Sequence, residues 1–151
     1  MSAVNSRIHV ATTDQPLDAA AALEFCSSPG HGAVDLFIGR VRDINQGKSV
    51  LGVSYDLHET LCRNVFQELA EETAARWGAE IRLWLAHRHG RLGVGDASVI
   101  AAASSRHRDE AFRACRQLVE EMKHRAPIWK QEHYTDGDSE WVQGHALCSH
   151  G

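Results

Sequence analysis

The sequence predicts an α+β domain, on three observations. Three segments carry apolar residues at helical spacing, and between them the apolar residues alternate instead, as in half-buried strands. The alternating segments come mostly in adjacent pairs joined by short loops, which implies antiparallel pairing and not a doubly wound sheet. A chain of 151 residues, 43% hydrophobic and 24% charged, suits a single domain over residues 1–151 with its own core.

Taken in order, Ile8 to Thr12 alternates as a first strand. Asp14 and Pro16 open a helix that follows the alanine run to about Cys26 and stops at Ser27-Ser-Pro-Gly30. Gly32 to Arg42 is strand-like, with Val34, Leu36, Ile38 and Arg40 on one side and Ala33, Phe37 and Val41 partly on the other. Asp43 to Lys48, holding Asn45 and Gly47, reads as a flexible loop, and Ser49 to His58 as another strand. From Thr60 to Trp77, Leu61, Val65, Phe66, Leu69, Ala70 and Ala74 form one helical stripe that Gly78 ends. Glu80 to His89 alternates Ile81, Leu83 and Leu85 against Arg82, Trp84 and Ala86; Gly90 to Asp96 is a glycine-rich turn; Ala97 to Ala103 is a buried strand. The third helix runs from about His107 to Arg125, with Ala111, Phe112, Cys115, Leu118, Val119 and Met122 inward. Short strands around Ile128–Tyr134 and Trp141–Gln143 flank a turn at Asp136-Gly-Asp138.

A net charge of −4 argues against a general nucleic-acid binder, so any anion site is a local basic pocket in a mildly acidic shell. The amino-terminal residues show no secretory signal and no apolar run is long enough to span a membrane, so the expectation is a cytoplasmic protein. Cys26, Cys62, Cys115 and Cys148 lie far apart without a CxxC pattern and read as reduced, core-packed thiols.

Three basic clusters carry the chemistry. In Met122–Glu132 a helix closes on Lys123, His124 and Arg125, breaks at Pro127 and resumes as an extended run with Trp129 and Lys130. Lysines on either side of a proline turn can face one pocket, making a positive field or lowering a lysine pKa by like-charge proximity. The alternative is that basic residues in a last helical turn only complement the helix dipole. In Ser104–Asp109, Arg106, His107 and Arg108 stand at a helix start where acidic residues are favoured, a conflict expected where an anion sits against free backbone N–H groups. There the alternative is that the side chains splay into water and Ser105 is simply the N-cap. Arg40 and Arg42 share one face at a strand end, before a loop that could fold over a ligand. His87 and His89 have no further ligand at metal-site spacing, and there is no nucleophile elbow, P-loop or dinucleotide fingerprint.

Taken together, Gly32–Asp43, His87-Arg-His-Gly90, Gly95-Asp96, Arg106-His-Arg108, Lys123-x-Arg-Ala-Pro-x-Trp-Lys130 and Trp141-Val142 resemble the large, catalytic subunit of molybdopterin synthase over about residues 8–143. The resemblance implies an α/β-hammerhead fold and a homodimer at the centre of a heterotetramer. A small ubiquitin-like sulfur carrier at each end would thread its C-terminal Gly-Gly thiocarboxylate into this subunit. The implied reaction transfers two sulfurs to cyclic pyranopterin monophosphate, forming the molybdopterin dithiolene; no cofactor and no metal is implied. By motif, Lys123 and Lys130 correspond to the essential pocket lysines. Arg42, His107 and Arg108 correspond to residues that hold the pterin phosphate, and Phe37 to an aromatic lining position. His145 falls near an arginine that, in some members, reaches the neighbouring subunit's pocket. The chain departs from the pattern at Asp56-Leu57-His58, where many members have an acidic-His-Tyr run, and in its shorter tail. Two other readings are a non-catalytic paralogue that binds the carrier and a small phosphate-ester binding or hydrolysing domain.

Overall fold

The structure is a computed structural model, and it describes residues 7–143. Its order is β1 (Ile8–Thr13), α1 (Ala19–Phe25), β2 (Ala33–Arg40), β3 (Ile44–Asn45), β4 (Lys48–Leu57), α2 (Glu59–Trp77), β5 (Arg82–Arg88) and β6 (Gly90–Gly93). Then follow β7 (Ala97–Ser105), α3 (Arg108–Arg125), β8 (Ile128–Tyr134), β9 (Gly137–Asp138) and β10 (Val142–Gln143).

The expected α+β class with three helices holds. The strands divide into a four-stranded sheet, β1-β5-β7-β2, and a second sheet with the path β10-β8-β4-β3, in which β6 also pairs with β4 and β9 with β8. The inner strands β5 and β7 of the first sheet are covered on both faces. On one face Phe66 and Leu69 of α2 and Cys115 and Leu118 of α3 pack against Leu83, Leu85, Ala101 and Ala103, all 2% exposed or less. The run of alanines on β7 lets the helices lie close, and burying a side chain the size of Phe66 or Leu118 contributes about 2–3 kcal/mol. On the other face α1 lays Ala22 and Cys26 on Ile100 and Ala102.

Several local expectations needed correction. Leu61 and Phe112, read onto the apolar stripes of α2 and α3, are 50% and 57% exposed. Helix α1 starts at Ala19 because the carboxylate of Asp18, not Asp14, accepts from the N–H groups of Ala20 and Ala21 at 3.0 and 3.2 Å. The loop at residues 43–48 is a hairpin: Gln46 and Gly47 take φ of 52° and 76°, the paired positive values of a two-residue turn. The turn after β5 contains strand β6, since Leu92, fully buried, pairs with Val53 of β4. Pairing is mixed: β1 runs parallel to β5, which it can do because α1, three strands and α2 intervene.

The sheets are joined at one end. Only His89 separates β5 of the first sheet from β6 of the second, and Gly90 turns that corner with φ 93°. Ala126 and Pro127 alone separate α3 from β8.

Candidate functional site

This joined end is where the lysines lie. Helix α3 starts beside the beginning of β2, where the Gly32 N–H donates to Arg106 O at 3.3 Å, and runs back along the sheet. Its 18 residues, at about 1.5 Å each, deliver Lys123 to the opposite end of the sheet. Pro127 then forces the extended backbone that becomes β8, which carries Lys130 across the second sheet to face Tyr55 of β4. Lys123 is exposed; Lys130 is largely covered and pairs with the buried Glu132 at 3.6 Å. Glu132 in turn accepts from Asn45 Nδ2 at 2.8 Å, so the β3–β4 hairpin is tied to the same lysine.

Tyr55, opposite Lys130, packs on His87, their rings 4.9 Å apart and nearly perpendicular at 77°. Burial pushes the His87 imidazole down to about 4, helped by the nearby charge of Lys123, although a hydrogen bond between Nδ1 and Arg88 O at 2.8 Å opposes the shift. His87 is therefore neutral at physiological pH, with Nδ1–H as donor to that carbonyl. Phe37 lies on β2 with its ring 3.5 Å from where a Cβ on Gly39 would be; the same Cβ would come within 2.7 Å of Val99 Cγ1, so the close approach of β2 to β7 requires glycine there. Arg42 is exposed just beyond the same end of β2, after Val41, whose N–H donates to Asp96 O at 3.0 Å. Arg42, Lys123 and Lys130 thus lie toward one end of the fold, whereas Phe37, paired with Ala101, sits near the middle of β2.

His107 and Arg108 do not join them. Ser105, which pairs with Ala33, marks one end of β2, and Ala97, which pairs with Arg40, marks the other. The intervening strand spans about 23 Å at 3.3 Å per residue. His107 occupies the N-cap position of α3 without a side-chain cap bond, and Ser105 Oγ donates to His107 O at 2.5 Å instead of capping the helix. The first-turn N–H groups there are left to solvent or a ligand, beside exposed His107 and Arg108. His145 lies outside the described residues. Arg125, by contrast, is held in ion pairs: it grips Glu68 at 2.7 Å and Glu72 at 2.6 Å on α2, and Glu121 at 3.3 Å on its own helix. Of the departing trio, Asp56 is exposed, Leu57 joins the core, and His58 caps α2 by accepting from the Leu61 N–H at 3.2 Å.

Two features escaped the sequence reading. Tyr55 carried no polar signal within its strand. Ser54, His133 and Asp138 form a hydrogen-bonded chain, with Ser54 Oγ 2.7 Å from His133 Nε2 and His133 Nδ1 2.8 Å from Asp138 Oδ1. It has the order of a nucleophilic triad, but β4 is laddered on both sides around Ser54, so no free N–H of that strand can hold an oxyanion. The chain braces β4, β8 and β9. Nor does a thiol offer itself among the described residues: burial pushes Cys26, Cys62 and Cys115 up to about 12, far from thiolate formation at neutral pH.

Comparison with known proteins bears on this arrangement. Residues 12–125 match the model of the family described as MoaE protein. The molybdopterin synthase catalytic subunit of Synechococcus elongatus is 47% identical over 133 residues, which cover 88% of this chain and 81% of that protein. The crystal structure of molybdopterin synthase from Staphylococcus aureus superposes with a TM-score of 0.83 at 29% identity, covering 87% of this chain and 95% of that one. A solved protein–protein complex of subunits 1 and 2 of molybdopterin-converting factor from Helicobacter pylori shares the fold, with a TM-score of 0.68, 24% identity and 87% coverage of each chain.

Proposed function

The chain belongs to the MoaE family, the catalytic subunits of molybdopterin synthase, and we propose from this premise that Lys123 and Lys130 form its reacting pocket. It is a sulfurtransferase of molybdenum cofactor biosynthesis. In the proposed reaction a small ubiquitin-like carrier brings sulfur as a C-terminal thiocarboxylate after Gly-Gly, and the acceptor is cyclic pyranopterin monophosphate. The known complex of the two converting-factor subunits supports a small partner subunit of this kind.

The observation that carries the proposal is the pair of lysines delivered from different layers, Lys130 opposite Tyr55 and Lys123 near enough for its charge to act on His87, whose ring touches that of Tyr55. The three cysteines among the described residues are buried. Sulfur need not come from this chain. The thiocarboxylate sulfur is the nucleophile. As its bond to a side-chain carbon of the pterin forms, the C–O bond of that carbon breaks and the oxygen leaves, as water or as the freed end of the opened cyclic phosphate. Water then cleaves the resulting thioester, leaving the sulfur on the pterin and a carboxylate on the carrier. The lysine ammonium groups offset the negative charge of the tail and of the oxyanion formed at its carbonyl, and can donate or relay protons.

Arg42 and the His107–Arg108 pair, at opposite ends of β2, cannot hold one phosphate within a single copy. We therefore assign phosphate binding to Arg42 of one copy together with His107 and Arg108 of a second, in a homodimer. The test is reconstitution with thiocarboxylated carrier and cyclic pyranopterin monophosphate, read as the fluorescent oxidised pterin product. Lys123→Ala abolishes product while leaving the circular dichroism and melting profile near those of the parent, because an exposed lysine at a helix end contributes little stability. Turnover retained in that variant refutes the assignment.

A further inference from the structure

We propose that Asp96 is a positioning residue for binding of the substrate's phosphate, holding the turn before β7 so that it fixes the backbone carrying Arg42. The inference rests on the assignment of phosphate binding to Arg42 above. Arg42 has no ladder partner of its own: β2 pairs as far as Arg40, and pairing resumes at Ile44. Its aim is therefore set by its neighbours in the chain, and the preceding one, Val41, is gripped from both sides.

The Val41 N–H donates to Asp96 O at 3.0 Å, and the Val41 carbonyl accepts from the Gly95 N–H at 2.8 Å. The Val41 side chain is buried against Val50, Val53 and Leu92 of the second sheet. Both backbone partners belong to the turn Gly93–Asp96, which leads from β6 of the second sheet to β7 of the first. Asp96 closes that turn twice. Its own N–H donates to Gly93 O at 3.1 Å, and its carboxylate accepts from the Gly93 N–H at 2.9 Å. Gly95 takes φ 89° at the third position, the value of a type II turn. From β5, Arg88 Nη1 approaches the same carboxylate oxygen at 3.6 Å. That carboxylate is 45% exposed, so the ion pair contributes little, and the bond to Gly93 does the holding.

A positioning role differs from a merely stabilising one in what its loss moves. Asp96→Ala leaves Arg42 present but loosens the backbone that aims it. Misplacement on the order of 1 Å costs up to about 100-fold. Partial loosening predicts about a tenfold rise in KM for cyclic pyranopterin monophosphate, with kcat and the KM for the thiocarboxylated carrier each changed less than about twofold. Asp96→Asn keeps a side-chain oxygen for the Gly93 N–H and gives up only the charge toward Arg88, so its pterin KM returns to within about threefold of the parent's. In Arg42→Ala/Asp96→Ala the pterin KM is no higher than in Arg42→Ala alone, since no guanidinium is left to aim.

The experiment measures pterin and carrier KM for these variants in the reconstituted reaction, with the melting temperature of each. A lower Tm in Asp96→Ala with the parent's pterin KM makes the residue merely structural and overturns the proposal. Asp96→Asn no better than Asp96→Ala overturns the bond to Gly93 as the cause, and rises that multiply in the double variant overturn the route through Arg42. A parent-like pterin KM in Arg42→Ala removes the phosphate assignment itself, a result distinct from the others.

Discussion

Acid should destabilise this protein through His87, and the amount can be worked out. The imidazole is 4% exposed and titrates at about 4 in the folded chain against an ordinary 6.5. The unfolded chain therefore binds a proton between those values that the folded chain refuses. Stability depends on pH in proportion to the protons bound unfolded minus those bound folded, a positive difference here, so stability rises with pH across this window. The contribution is complete above about pH 6.5 and is lost as pH falls toward 4. At about 1.4 kcal/mol per pH unit the whole loss is capped at about 3 kcal/mol, of which about 2 kcal/mol disappears between pH 7 and pH 5. His9 and His31, also lowered by burial, tilt the curve the same way, so the test is a difference. Urea unfolding of the parent and of His87→Leu at pH 7 and pH 5 isolates the one group: the parent loses about 2 kcal/mol more than the variant. Equal losses in the two proteins would refute a neutral, buried His87.

Two further outcomes follow from the contacts described. Arg125→Ala removes a guanidinium, 29% exposed, that bridges α3 to Glu68 and Glu72 of α2 and leaves three carboxylates clustered. Discounted for the exposure of those partners, the loss is about 1–2 kcal/mol, a fall in Tm of about 3–6 °C that shrinks in high salt; an unchanged Tm at low salt contradicts it. Native protein at pH 8 should resist iodoacetamide at Cys26, Cys62 and Cys115, with labelling in urea, as peptide mass spectrometry would show; rapid native labelling of any of them overturns the buried-thiol assignment.

What the sequence made legible follows the length of each pattern. Helices α2 and α3 were read nearly to their ends because 19 and 18 residues repeat an apolar stripe many times. Strands β3, β6 and β9, with two to four residues each, are too short for alternation to register, and β6 hangs on the single buried Leu92. The start of α1 was misplaced because Asp14 and Asp18 are equally good caps on paper, and only the backbone decides between them. The lysine pair was legible because a proline between two basic residues states a change of direction. That the other basic clusters occupy opposite ends of β2 was not, since a strand's residue list does not say which end faces which neighbour. Tyr55 was missed for a related reason: the His87 ring it packs against comes from a strand 32 residues further along the sequence.

The two-residue link between α3 and β8 imposes a rule of parity on any change in chain length. Lys123 is aimed by helical rotation, about 100° per residue, and Lys130 by strand alternation, 180° per residue. One residue added between Arg125 and Ile128 leaves the first lysine where it is. For β8 to keep its place in the ladder, the same addition brings Trp129 to the side Lys130 now faces and turns Lys130 to the opposite face, into the place of Gln131. Two added residues restore the face but move Lys130 about two strand positions along, past Tyr55. The spacing of these lysines is thus set by two incommensurate periods that agree at the length the chain already has.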